Sequence, residues 1–280
     1  MSKLDVVIYG SSRPVLAPFM LDAFEKMCII RSEKRIFFHE DFVIPSESQQ
    51  TVKWCEEKIA EGRMDAVYQH NPCTGLGNSM DYMFRKHVTA PYFFNLQEDW
   101  EFERPVDIDH ILWVMDHNPE VNCVIFNKIR NTGSLNGASQ PQFTYGGLDM
   151  CLYHSWSFMP GIWRMEHIMK YWKVRVQRPE GFISNIFGTH KERMDDQLCI
   201  DKIGAYLYGP SGDWRYVRHI GNDWRMAEWR LENGKPSGAH DRIRMDDPYR
   251  ADWVEHTVRP TYKPNQDEEE IQRQIDEQAK

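Results

Sequence analysis

The feature that most constrains the fold is an alternation, through the first half of the chain, of short β-rich runs with amphipathic stretches of helical period. Strands separated by helix-length segments are too far apart to pair as tight hairpins. They form βαβ units instead, and hence a largely parallel sheet covered by helices. Leu4 to Tyr9 reads as a buried first strand. Gly10-Ser11-Ser12-Arg13-Pro14 then opens a helix through about Cys28: proline suits a first helical turn, and Leu16, Phe19, Met20, Ala23, Phe24 and Met27 recur at helical spacing. Arg35 to Phe38 is a second strand ending in His39-Glu40-Asp41, with Ser46 as cap of a helix from about Glu47 to Glu61. A third strand, Ala66 to Gln69, runs into His70-Asn71-Pro72-Cys73-Thr74-Gly75-Leu76-Gly77-Asn78 and a helix to about His87. A fourth, Tyr92 to Leu96, delivers Gln97-Glu98-Asp99-Trp100. Ligands of open α/β sheets bind outside the carboxyl ends of the strands, so these four polar or glycine-rich loops mark where a site is expected.

Beyond them, Asp107 to His117 predicts a helix and Asn122 to Phe126 a strand. Asn131 to Gly147, rich in Gly, Asn, Ser and Gln, reads as a lid or binding loop. Helices are expected around Trp163 to Trp172 and from Asp195 to about Tyr206, with a short strand at Arg215 to His219. Pro264 to Lys280 is strongly charged, as a solvated helix or frayed tail would be. A chain of 280 residues holds one large α/β domain, assigned to 1–225, with a C-terminal extension at 226–280.

Apolar runs such as Tyr92 to Leu96 fall far short of the roughly 20 residues that span a bilayer, and no basic segment precedes an apolar one at the N-terminus. The expectation is a soluble, unexported, cytoplasmic protein without a membrane span. Six scattered cysteines (28, 55, 73, 123, 151 and 199) include no close pair, which suits reduced thiols better than a zinc or dithiol site. A formal charge of −8 argues against a non-specific nucleic-acid coat, yet leaves room for a local basic patch.

Glu98 and Asp99 follow a core strand directly, a position where acids either solvate a turn or hold a cation. Mn²⁺ and Mg²⁺ prefer oxygen ligands and leave coordination positions for phosphate oxygens, so the pair fits a metal site that stabilises a departing diphosphate. The wider order of motifs, over roughly residues 4 to 225, resembles the family-2-like glycosyltransferases of GT-A fold, including a viral branch. Gly10-Ser11-Ser12-Arg13-Pro14 is similar to the small-polar-Arg-Pro loop after their first strand. Asp41 or Glu40 stands where they place an acid to meet the base. Asn71, Gly75 and Asn78 match an Asn, a Gly and a second Asn ahead of a helix, and Phe93 to Trp100 resembles the hydrophobic strand ending in an acidic triplet. Gln97 departs from that pattern, standing where the first Asp of Asp-x-Asp would lie.

The resemblance implies a GT-A-type Rossmann-like mixed sheet flanked by helices, and a nucleotide-sugar donor, of UDP-sugar type. It places the donor on Gly10, Ser11, Arg13, Asp41, Asn71, Gly75, Asn78, Gln97 and Glu98, and Mn²⁺ or Mg²⁺ on Asp99. Met194-Asp195-Asp196-Gln197 is similar to the Glu-Asp motif that opens a helix in inverting members, which makes Asp196, with Asp195 beside it, the base toward the acceptor hydroxyl. Acids in a helix's first turn also favour its dipole. His219 resembles the late histidine that completes the metal site. In His154 to Gly161, Trp156 would form an acceptor-side wall by stacking, with Phe158 assigned to the core. The acceptor is a glycan or, in the phage case, a hydroxymethylated DNA base, with arginines 130, 164, 175, 178, 215 and 218 tracking phosphates. Readings of other classes are a nucleotidyltransferase, for which Gly10-Ser11-Ser12-Arg13 is a short triphosphate loop, and an inactive nucleotide- or carbohydrate-binding module, for which Gln97 speaks.

Overall fold

A computed structural model of the protein describes residues 2–126, 141–153, 157–172, 196–210 and 216–221, without the side chains of Asp196 and Leu198. The extension at 226–280 lies outside the described residues. The expected fold class holds: a mixed sheet with helices on both faces. The strands are β1 (Leu4–Gly10), β2 (Cys28–Ile29), β3 (Lys34–Asp41), β4 (Ala66–His70), β5 (Tyr92–Gln97), β6 (Trp100–Phe102), β7 (Val106–Asp107), β8 (Cys123–Ile125), β9 (Gln142–Tyr145), β10 (Leu148–Leu152), β11 (Gly161–Arg164), β12 (Ala205–Tyr208) and β13 (Val217–His219). The helices are α1 (Leu16–Met27), α2 (Pro45–Ala60), α3 (Leu76–Lys86), α4 (Ile108–His117), α5 (Met165–Tyr171) and α6 (Asp196–Lys202).

Among the described residues the main sheet has nine strands in the order β4-β3-β1-β5-β11-β8-β12-β10-β9. The first four are mutually parallel. β11 enters antiparallel between β5 and β8, β12 runs parallel to β8, and the hairpin of β9 and β10 closes the far edge. From β1 the chain moves outward to β3 and β4, then returns to the other side of β1 as β5. A crevice therefore opens at the carboxyl ends of β1 and β5, the switch point where α/β sheets hold ligands.

Burial on both faces explains the continuous apolar runs of β1 and β5. Phe94 faces α1, meeting Phe24 at 5.5 Å between ring centroids, while its neighbour Phe93 points the other way to Phe84 of α3 at 4.8 Å. Asp5, 1% exposed, ties the N-terminal ends of these strands together. Its carboxylate accepts from the Thr89 and Ala90 N–H groups at 2.7 and 2.9 Å, and from Arg35 Nε and Nη2 at 2.8 and 2.7 Å.

Several element boundaries differ from expectation. Helix α2 starts at Pro45, with Ile44 in the capping position and no side-chain cap, so Ser46 lies inside the first turn; proline's fixed φ starts the helix without a cap. Trp163 belongs to β11 rather than a helix, and α5 begins only at Met165. A short apolar run does not distinguish a buried strand from a helix, and the sheet position between β5 and β8 decides it. The helix at 195–206 ends at Lys202; Gly204, at φ 58, turns the chain into β12. Of the loop at 131–147, residues 131–140 lie outside the described residues. Its remainder contains β9, joined to β10 through Gly146 and Gly147, both at positive φ. Asp107 caps α4, accepting the His110 N–H at 3.1 Å.

Asp5→Ala is expected to cost about 3 kcal/mol, because the buried Ala90 N–H, the part-buried Thr89 N–H and a guanidinium lose their acceptor together. Arg35→Ala, which leaves the two backbone bonds in place, is expected to cost about 1 kcal/mol. Urea denaturation of the two variants measures the difference.

Candidate functional site at the carboxyl ends of β1 and β5

Four side chains meet in the crevice. Arg13, on the loop after β1, donates from Nε to Glu98 Oε1 at 2.7 Å and from Nη1 to Asp99 Oδ2 at 2.6 Å. His219 Nε2 lies 3.3 Å from the same Asp99 oxygen. Glu98 and Asp99 are 2% and 3% exposed, so they are not acids solvating a turn.

His219 arrives from more than a hundred residues away because β13 pairs antiparallel with β6, the continuation of the chain just past Asp99, with His219 opposite Trp100 and Arg218 opposite Glu101. Arg218 donates to Glu101 Oε2 at 2.7 Å, and the His219 ring stands edge-on to Trp100. Gly221 closes the turn: its N–H donates to the Asp99 carbonyl at 3.2 Å, and a Cβ there would stand 2.6 Å from Asp99 Oδ2.

Burial alone would raise the Asp99 pKa, but Arg13 and then His219 reverse this and hold it well below the usual carboxylate range. Glu98 goes the other way, raised by burial and by the charge of Asp99 against the pull of Arg13. Burial opposes the charge on Arg13, and the two carboxylates more than offset it, so its pKa stands above the ordinary value. The cluster is a charged network.

The loop carrying Arg13 is gripped from below by two glutamates. Glu98 Oε1 also accepts the Ser11 N–H at 2.9 Å. Glu40, fully buried, accepts the Ser12 N–H at 2.7 Å and the Ser48 hydroxyl at 2.6 Å on Oε1. The Ser12 hydroxyl in turn accepts the Ile44 N–H at 2.6 Å. These bonds hold Ser12 at φ 57, where a non-glycine residue is uncommon. Gly10 lies against Glu40: a Cβ would come within 2.4 Å of Oε2, which explains the glycine without reference to a ligand.

Consecutive strand residues face opposite sides. Asp41 accordingly leaves Glu40's face and turns toward β4, where Oδ1 accepts the Thr74 N–H at 2.8 Å and Oδ2 accepts the Gly75 N–H at 2.7 Å and Cys73 Sγ at 3.1 Å. Partial burial of the thiol, and then its bond to Asp41, push Cys73 up to about 12, so it is a donor here and not a nucleophile. Asn71, Cys73 and Thr74 remain exposed on the rim, the Asn71–Pro72 peptide is cis, and Gly75 at φ 83 leads into α3. Asn78 sits in the first turn of α3, donating to the Thr74 carbonyl at 2.7 Å. Gln97 ends β5 beside Tyr9, half-buried.

The structure thus gathers Gly10, Ser11, Arg13, Gln97, Glu98, Asp99 and His219 around one crevice, with Asp41 holding the rim that carries Asn71, Gly75 and Asn78. Two expectations need correction. Glu40 does not reach a base, since strand alternation buries it beneath Ser12. Arg164 and Arg218 do not track phosphates: Arg164 donates to the carbonyls of Met115 and Val121 and to the Tyr92 hydroxyl, and Arg218 pairs with Glu101. Phe158 is in the core, against Trp163 and Trp172. Asp195, Trp156 and arginines 130, 175, 178 and 215 lie outside the described residues, as does the side chain of Asp196, whose backbone opens α6. Ser48, Gly221 and the inward roles of Glu40 and Glu98 were not anticipated. Only Gly221, two residues past His219, carried a visible signal.

A divalent metal fits this donor set. Asp99 Oδ1 is buried and has no hydrogen-bond partner, while an imidazole nitrogen stands beside its other oxygen. Among the described residues no group of three or more His, Cys, Asp or Glu could hold a metal. Such an ion would therefore need oxygens from a ligand, as Mg²⁺ and Mn²⁺ do when they bind through one or two side chains and substrate phosphates.

No family model matches the chain, and no curated protein matches it. Solved structures do. The chain is similar to the crystal structure of S. aureus TarS, with a TM-score of 0.50 and 12% identity over 86% of this chain and 41% of that one. Against the 1–349 portion of TarS in complex with UDP, the TM-score is 0.52 at 11% identity, covering 85% of this chain and 68% of that one. The same portion without UDP gives 0.52 at 11%, covering 86% and 68%. The chain thus spans less than half of the whole TarS structure and about two thirds of its 1–349 portion. What it shares with them is the fold, a GT-A-type α/β architecture. Among the described residues, no helix is long and apolar enough to cross a membrane.

Burial, with Glu98 adding, pushes the Glu40 carboxyl from 4.5 up to about 8, against its bonds to Ser48 and Ser12 and the charge of Arg13. The folded protein keeps this proton where the unfolded chain releases it, so stability falls as pH rises through that window. Each unit is about 1.4 kcal/mol. Glu40→Gln is expected to flatten the decline in Tm between about pH 5 and pH 8, while Glu98, also raised, keeps its own contribution. A pH series of thermal melts on the wild type and the variant reads this directly.

Proposed function

We propose that the chain is a metal-dependent glycosyltransferase that takes a nucleotide-sugar donor, of UDP-sugar type, and transfers the sugar to a hydroxyl acceptor. The observation that carries this reading is the crevice at the β1/β5 switch point. There a guanidinium, two buried carboxylates and an imidazole converge, and Asp99 Oδ1 is left without a partner. The fold shared with TarS, whose 1–349 portion is solved with UDP, supports it.

On this reading Asp99 and His219 hold Mn²⁺ or Mg²⁺, which when bound neutralises charge on the leaving diphosphate. The loop at Gly10, Ser11 and Arg13 borders the diphosphate, and the guanidinium fork suits its oxygens. The rim at Asn71, Gly75 and Asn78, fixed by Asp41, borders the nucleoside. Gln97 contributes an uncharged amide where the related enzymes carry an acid. Glu98 acts as a support for the loop. Asp196, with Asp195 beside it, is proposed to take the acceptor's proton while the anomeric carbon exchanges its bond to the phosphate oxygen for one to the acceptor oxygen, with inversion. Trp156 is proposed for the acceptor side. The catalytic unit is assigned to 1–225.

A ligand that binds only the folded state raises its stability, by about 3 kcal/mol at roughly a hundredfold excess over Kd. A panel of nucleotide sugars with and without Mn²⁺ is therefore expected to give a rise in Tm of several degrees with one donor, larger with metal. Asp99→Asn, which keeps the side chain's shape, is expected to lose the metal-dependent part. A well-folded protein that answers to no donor would favour an inactive binding module.

A further inference from the structure

The acidic pair already has a cation of the protein set against it. Arg13 engages both carboxylates at once, at 2.7 Å from Glu98 and 2.6 Å from Asp99, and its side chain is only 17% exposed. A metal ion arriving at Asp99 meets this fixed positive charge on the same carboxylate. In a site so little exposed to water the repulsion is poorly screened. A diphosphate changes the balance, because its oxygens offer the guanidinium an equally good bidentate partner. The required movement is small. The backbone of the loop stays fixed by the Ser11 N–H on Glu98 and the Ser12 N–H on Glu40, while the arginine's own torsions can carry the guanidinium away from Asp99. His219 is held independently, by the pairing of β13 with β6, and Gly221, having no Cβ, leaves the space beside Asp99 Oδ2 that a side chain there would fill.

Resting on the donor site read above, we propose that Arg13 makes metal binding conditional on the nucleotide diphosphate. Without diphosphate Arg13 occupies Asp99 and keeps metal affinity low; with it, the guanidinium transfers to phosphate oxygens and Asp99 is released to the metal. The coupling is reciprocal, so metal strengthens diphosphate binding by the same factor. Arg13 is on this account a residue that sets metal affinity, in addition to bordering the donor.

The test is Mn²⁺ binding followed by the electron paramagnetic resonance of the free ion, in the wild type, Arg13→Met and Arg13→Lys, each with and without saturating UDP and corrected for Mn²⁺–UDP association. The wild type is expected to bind Mn²⁺ about tenfold or more tightly with UDP than without it. Arg13→Met is expected to bind Mn²⁺ alone about tenfold more tightly than the wild type, and its enhancement by UDP is expected to fall by about the same factor, leaving the part the diphosphate oxygens supply as ligands. Arg13→Lys, which keeps the charge but cannot bridge both carboxylates, is expected to shift in the same direction by less; it serves where the methionine variant does not fold. Metal affinity that is unchanged or weaker in the variants, or an enhancement by UDP that survives intact, would overturn the proposal while leaving the metal site standing. Absence of Mn²⁺ binding to every protein in both conditions would overturn the donor-site reading and this inference together.

Discussion

The bridge from Arg13 to Glu98 and Asp99 is the interaction on which the candidate site depends. It spans the point where the sheet changes direction, tying the loop after β1 to the end of β5, and every other contact of the site is arranged around it. Two carboxylates on adjacent residues, both nearly removed from water, are costly without a compensating charge. Here one guanidinium bridges both, across two strand ends that the pairing of Tyr9 with Gln97 already holds side by side. The pairing of β13 with β6 then brings His219 to the same carboxylate from a distant part of the chain.

Strand alternation sorts the acids of the site into different tasks. Glu40 and Asp41 are neighbours, yet one supports Ser12 from below while the other holds the loop at 73–75 against β4. Glu98 and Asp99 divide similarly: Glu98 accepts from the Ser11 backbone as well as from Arg13, whereas Asp99 keeps one oxygen uncommitted. The result is a rigid cradle made of backbone N–H groups and buried carboxylates, within which a single oxygen is left for a cation. Such preorganisation is what a site needs if charge is to be stabilised without rearrangement of the protein.

Much of this was legible in the sequence. The alternation of strands and helices through residue 96 gave the parallel half of the sheet, and the loops after its strands gave the place of the site, because periodicity and the rules of α/β topology act locally. His219 could be named only through resemblance, since its partner strand pairs over a long sequence separation. Trp163 and the stretch around Ala205 were read as helix because short apolar runs carry no period of their own; their places in the sheet are set by β5 and β8. Glu40 escaped for a different reason: sequence reveals an acid after a strand, but not whether the strand's pleat aims it at the solvent or into the core. The pair of glutamates beneath the β1 loop is therefore a feature that only the packed structure displays.

The central claim is that this crevice holds a nucleotide diphosphate and a divalent metal. It is tested most directly by anomalous diffraction at the manganese edge from crystals grown with UDP and Mn²⁺. The account predicts a manganese peak in contact with Asp99 and His219, with the diphosphate beside Arg13 and the loop at Gly10 and Ser11. A manganese peak elsewhere, or UDP bound away from these loops while Arg13 still bridges Glu98 and Asp99, would contradict it.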